Sequence, residues 1–342
     1  MNVKRDSDVL SAPLTVNWSL SYRCNFNCRH CYSRNQAQTS LSLEGILPVL
    51  DLLRKKGVVY VNFGGGEPLL YPNLFEVVSH ASTAGLKVAM NSNGYLLDAA
   101  AAARIASTGF SSVGISMDSP RREVHDRFRN QEGSFDRAAA ALRHLRSAGV
   151  RTTVSCVINR GNMEDWEGMI PICRELGAST LYLHNYKCMG TGLVNMGELD
   201  LSPDEWGRFY RHALEIQGEV DDVALSFDDP IMASLTGYAQ ENAVPGSTCG
   251  KLSLHLEPNG DITPCGFIPI VIGNILSDDF DEIWFHSPVL EKMRYKNPQG
   301  KCDGCSSYES CLGGCSARSF SLAGDFDHPD PHCWVKGAGN GD

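Results

Sequence analysis

Six short apolar runs between residues 15 and 184 each lead straight into a cluster of small or polar residues. Thr15–Ser21 leads into a cysteine loop, Val58–Phe63 into Gly64-Gly65-Gly66-Glu67-Pro68, and Leu86–Met90 into Asn91-Ser92-Asn93-Gly94. Ser112–Met117 leads into Asp118-Ser119-Pro120, Arg151–Ile158 into Asn159-Arg160-Gly161, and Leu181–His184 into Asn185-Tyr186-Lys187. Helical patterns fill the gaps, among them Ser42–Lys56, Asn73–Ala84, Phe135–Ala148 and Met163–Leu176. Strands and helices in strict alternation predict an α/β fold with a parallel sheet and helices outside it. Right-handed crossovers wrap such a series into a barrel. Six units are fewer than the eight that close one, so the expectation is a partial (β/α)6 TIM-like barrel, with a gap that would admit a large substrate. Every polar cluster follows a strand, which gathers them at the carboxyl-terminal rim where barrel sites form.

Beyond Ser202 the pattern changes. A helix is expected over Pro203–Gln217, and then Leu254–Glu257, Pro258-Asn259-Gly260 and Asp261–Thr263 read as a small hairpin with Asn-Gly as its turn signal. The remainder is cysteine-rich and poor in regular apolar periodicity, as in regions that need metal to hold their fold. The expected division is a barrel over 1–220 and a cysteine-rich domain over 221–342.

Ten of the thirteen cysteines form two arrays. The first is Cys24-x3-Cys28-x2-Cys31; the second is Cys249, Cys265, Cys302-x2-Cys305-x5-Cys311-x3-Cys315 and Cys333. All-thiolate sets at short spacing suit iron–sulfur clusters or zinc. Three thiolates on a [4Fe–4S] cube leave one iron open to a small molecule, whereas a structural zinc site supplies four ligands. The competing readings are a zinc knuckle lacking a ligand and reduced core thiols. A disulfide framework fits poorly with an odd cysteine count and with residues 1–14, which contain no secretory signal. Reduced thiols point to the cytoplasm. A formal charge of −10 argues against nucleic acid as the main partner. No stretch approaches the ~18–20 apolar residues of a membrane helix.

The cysteine triplet after a first strand, with Gly65-Gly66-Glu67-Pro68 after a second, resembles the radical S-adenosylmethionine (SAM) superfamily. The later cysteines, including a Gly-x4-Cys from Gly260 to Cys265, resemble its SPASM extension. The two motifs together span residues 15–335. The resemblance implies an enzyme whose [4Fe–4S] cluster, on Cys24, Cys28 and Cys31, binds SAM through its open iron. Reductive cleavage of SAM then gives a 5′-deoxyadenosyl radical that takes a hydrogen atom from substrate. It also implies one or two auxiliary [4Fe–4S] clusters, with Cys302, Cys305, Cys311 and Cys333 holding the outer and Cys249, Cys265 and Cys315 the inner. An electron donor such as flavodoxin or ferredoxin is implied as well.

The other motifs are read within that resemblance. Gly64–Gly66 would let backbone approach a ligand closely, Pro68 would stiffen the exit, and Glu67 would accept from the methionine ammonium. Ser116 would donate to the SAM carboxylate, and Arg129 would pair with it bidentately, with Arg127 as a rival. Tyr32 would lie against adenine. Asn93, Asn159 and Asn185 are weaker candidates for SAM or substrate contacts. Cys156 and Cys173 read as core thiols. Cys188, expected on the rim, would donate a hydrogen atom to a substrate radical, close the three-ligand inner set, or be inert.

The leading functional expectation is modification of a ribosomally made peptide by crosslinking, epimerisation or oxidation. The short stretch before the first strand implies a separate peptide carrier protein or a leader-independent mode. Modification of a tetrapyrrole side chain (heme or heme d1 type) or another small molecule is the alternative. A non-catalytic iron–sulfur electron carrier is the alternative of another class. Gly266 stands where the sulfatase-maturing branch often has an aspartate base, which argues against that activity.

Overall fold

The computed structural model describes residues 9–33, 39–235 and 245–335. Its frame is one ten-stranded sheet in the order β10-β9-β8-β1-β2-β3-β4-β5-β6-β7. The strands are β1 (Thr15–Ser21), β2 (Tyr60–Gly65), β3 (Lys87–Ser92), β4 (Ser112–Ser116), β5 (Thr152–Val157), β6 (Thr180–His184), β7 (Ala224–Phe227), β8 (Ser253–Leu256), β9 (Asp261–Thr263) and β10 (Gly273–Asn274). Strands β1 to β7 are parallel, β8 joins the other side of β1 in parallel, and β8, β9 and β10 are antiparallel to their sequence neighbours. The ends do not pair with one another, so the barrel is partial, as the count of βα units implied.

Helices α1 (Leu43–Lys56), α2 (Leu74–Thr83), α3 (Ala99–Thr108), α4 (Arg122–Arg129), α5 (Ser134–Ser147) and α6 (Met169–Leu176) cover the outer face. Helix α1 has Glu44 in its first turn, Arg54, Lys55 and Lys56 in its last, and left-handed Gly57 as its cap, the charge order that suits the helix dipole. The helix Pro203–Glu219 starts on a capping box between Ser202 and Glu205. Helix α6 begins at Met169, later than the apolar pattern suggested, because Trp166–Gly168 forms a 3₁₀ turn first.

The two faces of the sheet differ. Trp18, Leu20, Val61, Phe63, Met90, Ile115, Val154 and Leu183 point outward into the main core with Leu50, Leu53, Val78 and Leu142 of the helices. Cys156 and Cys173 are fully buried in that core. The alternate positions are polar. Register aligns His255, Asn17 and Asn62 across β8, β1 and β2, and Asn62 donates to Asn17 at 3.1 Å. Further round, Asn91, Gly114 and Thr153 align, as do Ser116, Ser155, Tyr182 and Ser226. A parallel strand buried on both sides would be apolar throughout. These strands therefore enclose a polar lumen.

Candidate functional site

The first cysteine array lies in the loop leaving β1, at the carboxyl-terminal mouth of the lumen. Its three thiols interact electrostatically: burial pushes Cys28 up to about 12, Cys31 and Cys24 add to the rise, and Arg129 opposes it. A thiol so placed releases its proton to solvent only where a metal cation takes the proton's place on sulfur and offsets the burial, as a metal cluster would. The three thiols fit an iron–sulfur cluster with one iron left open.

The loop is pinned on every side. Gly66 N donates to Ser21 O at 2.7 Å and Glu67 N to Arg23 O at 2.9 Å. Added Cβ atoms would stand 2.0 Å from Arg23 O at Gly66 and 2.5 Å from Ser21 O at Gly65, where φ is +100°. The close approach these glycines permit is to the backbone just before Cys24. Ser33 Oγ lies 3.3 Å from Cys31 Sγ and donates to Gly65 O at 3.1 Å. Thr191 Oγ1 donates to the carbonyls of Cys28 and Cys31 at 3.0 and 3.1 Å, and Asn195 Nδ2 to Arg29 O at 2.8 Å. Sequence reasoning missed this second support. Its signal was Gly190-Thr191-Gly192, a glycine-flanked hydroxyl just past the sixth strand; a Cβ at Gly190 would stand 2.5 Å from Cys31 O.

Several of the residues expected at the ligand also tie the loops to one another. Glu67 is buried, and its oxygens accept from Ser92 Oγ at 2.8 Å, Asn93 N at 2.9 Å and Leu69 N at 3.2 Å. It locks the β2 loop to the β3 loop. Asn93 in turn donates to Asn25 Oδ1 at 2.9 Å, and its Nδ2 stands 4.0 Å from Cys24 Sγ, so it does reach the first array. Pro68 opens the 3₁₀ turn behind Glu67. Asn159 spends its side chain on its own turn, donating to Val157 O at 3.0 Å and accepting from Gly161 N at 2.9 Å. Tyr32 packs on Phe267 with ring centres 4.7 Å apart, within reach of the Ser19 hydroxyl. It joins the first array to the hairpin region.

Arg129 is buried and Arg127 exposed, which separates the two rivals. Arg129 donates Nε to Asp118 Oδ2 at 2.5 Å and Nη2 to Asp118 Oδ1 at 2.9 Å, and it also reaches Cys28. One edge of its fork is thus taken by Asp118, at the end of β4 beside Ser116. Burial works against the Asp118 charge, but Arg129, followed by His125, holds the carboxyl well below the usual range. Val157 N adds a bond to Asp118 Oδ1 at 3.0 Å.

The second array divides in space. Cys302, Cys305, Cys311 and Cys333 line one cavity together with Gly313, Gly314 and Asp330. Four converging thiols fit a cluster. Cys249 and Cys265 are in hydrogen-bond contact, Cys265 feels Cys315, and all three pack in one small core, so they form a separate set. Between the sets runs a buried ion network. Asp330 accepts from Cys315 N at 2.6 Å and Arg318 Nε at 2.8 Å, and Arg318 also grips Asp229 on the loop after β7. Asn185 donates to that same Asp229 at 2.5 Å.

Cys188, in the loop after β6, is buried, and its thiol donates to Asp200 Oδ2 at 3.1 Å, where His332 Nε2 also bonds at 2.8 Å. Alternation along the chain sends the preceding side chain, Lys187, to the inner set instead: Lys187 Nζ donates to Cys315 Sγ at 3.9 Å.

Comparison with known proteins agrees with this geometry. The radical SAM superfamily matches residues 18–170, and the SPASM iron–sulfur cluster-binding domain matches residues 248–306. The chain is 32% identical over 334 residues to the mycofactocin maturase MftC of Mycobacterium tuberculosis, covering 95% of this chain and 83% of that one. It is 27% identical over 341 residues to the AdoMet-dependent heme synthase of Methanosarcina barkeri, covering 94% and 97% of the two chains. Among solved structures, SuiB of Streptococcus suis bound to S-adenosylmethionine superposes with a TM-score of 0.78 at 16% identity, covering 96% of this chain and 78% of that chain, which shows the shared fold. The cysteine arrays and the polar barrel between them are therefore those of a radical SAM enzyme, and the chain belongs to that superfamily, with a SPASM domain at its carboxyl-terminal side.

Proposed function

We propose that this enzyme modifies a ribosomally made peptide. The observation that carries the reading is a polar lumen open at one side, with the first cysteine array at its mouth and the inner array close by, in a chain 32% identical to a mycofactocin maturase. In this reading Cys24, Cys28 and Cys31 hold the [4Fe–4S] cluster; with SAM it supplies a 5′-deoxyadenosyl radical. Arg129, steadied by Asp118, offers its remaining guanidinium edge to the SAM carboxylate, and Ser116 stands beside it. Glu67 and Asn93 position the loops around the cluster. The lumen side chains Asn17, Asn62 and His255 form the polar wall against which substrate lies.

The outer thiols hold a second cluster and the inner three a third, with the auxiliary-cluster domain inside residues 221–342, which also lend β7 and β8 to the barrel sheet. A flavodoxin- or ferredoxin-type donor and a separate peptide carrier complete the system, in the cytoplasm. Among the described residues no helix is long and apolar enough to cross a membrane.

A tetrapyrrole side chain is the second reading, favoured by the near full-length match to a heme synthase. The test is substrate-dependent SAM cleavage. Reduced enzyme is supplied with SAM and either a short precursor peptide or an iron porphyrin. We expect 5′-deoxyadenosine and a peptide mass change with the peptide alone. Turnover with the porphyrin and none with the peptide would overturn the proposal.

A further inference from the structure

The ammonium of Lys187 lies between the lumen and the inner cysteine set. It donates to Cys315 Sγ at 3.9 Å and stands 5.8 Å from the centre of the Phe267 ring. Two neighbouring acids, Asp228 and Asp229, also attract it, and Lys187 helps to keep both carboxyls ionised. Asp228 bonds His184 at 3.1 Å, and both oxygens of Asp229 accept from Arg318. Lys187 is also fixed from both sides. Tyr186 donates to Gly192 O at 2.8 Å, the Cys188 thiol donates to Asp200 at 3.1 Å, and the Cys188 carbonyl accepts from the Ser321 hydroxyl.

Lys187 is half-buried, and a cation partly withdrawn from water is stabilised by negative charge close by. A neutral thiol supplies none. A thiolate that carries iron does, and its cluster becomes more negative on reduction. Net charge and hydrogen bonds to the sulfurs are among the levers that set a cluster's potential. An ammonium held against a ligand sulfur favours the reduced state, and low local polarity strengthens the effect.

We propose that Lys187 tunes the electronics of an iron–sulfur cluster held by Cys249, Cys265 and Cys315, raising its reduction potential through its contact with the Cys315 sulfur. This rests on the reading of those three thiols as a cluster site. It gives the loop after β6 a second task besides pinning the first array: the loop sets how readily an electron resides on the inner cluster. Lysine suits the position because its charge is compact and its stem is long enough to cross from that loop to Cys315.

The experiment uses the fully reconstituted enzyme, with iron and sulfide counted and each cluster followed by EPR during a redox titration. Lys187→Met and Lys187→Gln are expected to keep their iron and to lower the midpoint of one auxiliary cluster by at least tenfold in its one-electron equilibrium, 59 mV. Lys187→Arg should restore most of that shift, and the other midpoints should stay put. Full iron with an unmoved midpoint in both neutral variants would overturn the proposal. Loss of the inner iron in both would also overturn it, because Lys187 would then be needed for assembly rather than tuning. Failure of the underlying reading shows elsewhere: Cys315→Ala would keep all auxiliary iron and its spectrum.

Discussion

Arg318 holds Asp229 with both terminal nitrogens, Nη1 to Oδ2 at 3.0 Å and Nη2 to Oδ1 at 2.7 Å, and neither side chain reaches solvent. The same guanidinium bonds Asp330, so one cation balances two buried acids that belong to distant parts of the chain. Removing one partner of a buried ion pair costs about 3–5 kcal/mol, because it leaves uncompensated charge. Arg318→Met should lower stability by about that much. The check is a denaturation curve of the iron-loaded protein; a shift of less than about 1 kcal/mol would mean the network is not formed.

Arg129→Lys keeps the charge and loses the fork to Asp118. A hydrogen bond to a charged group contributes about 1.5–3 kcal/mol, so SAM affinity is expected to fall about ten- to a hundredfold. Arg127→Lys, at an exposed position, should leave affinity as it is. Equilibrium binding of SAM to the cluster-loaded variants separates the two, and the reverse order would shift the assignment to Arg127.

Glycines in one triplet should differ sharply. A Cβ at Gly66 would stand 2.0 Å from Arg23 O, while one at Gly64 meets nothing within 4 Å. Gly66→Ala must displace the backbone next to Cys24, and the first cluster should be lost while auxiliary iron is retained. Gly64→Ala should retain all of its iron. Iron counts on the two variants decide the matter.

His255 and Glu257, 3.8 Å apart beside β1, respond to pH in opposite directions. Burial lowers His255 to about 4, so its contribution to stability is full above the ordinary histidine value of 6.5 and is lost as pH falls toward 4. Burial, then Asp261, raises Glu257 to about 7, so its contribution is full below the ordinary value of 4.5 and is lost as pH rises toward 7. Between pH 6.5 and 5 the two trends offset each other. Glu257→Gln removes one of them, and stability should then fall more steeply on acidification than in the parent. Urea midpoints across that range test this; parallel curves would refute it.

The frame of the molecule was legible because its signals are local. Thr15–Ser21 has apolar outward positions and ends at a cysteine loop, and the strand has those bounds. Asn259-Gly260 marks the turn between β8 and β9. Strand β7 escaped notice because Ala224–Phe227 is only four residues long and is bracketed by aspartates. The site was half legible. Close spacing announced that Cys302, Cys305 and Cys311 would meet. Nothing local announced that Asp118 would occupy the fork of Arg129, that Glu67 would turn inward to Ser92 and Asn93, or that Cys188 would turn to Asp200. Those ties depend on where loops from different strands meet at the rim, and a linear pattern does not carry that information. The polar lumen was within reach of sequence reasoning, since Asn17, Asn62, Asn91 and Thr153 recur at alternate positions in strands expected to be buried on both sides.

Strand β8 continues the barrel sheet from β1, with Leu256 opposite Trp18. The strand that delivers Cys24 and the hairpin that delivers Cys265 are therefore adjacent rungs of one ladder, about 4.8 Å apart. Any opening between them would have to unzip backbone hydrogen bonds along β1. The backbone ladder thus fixes the spacing of the two cysteine-bearing regions at folding.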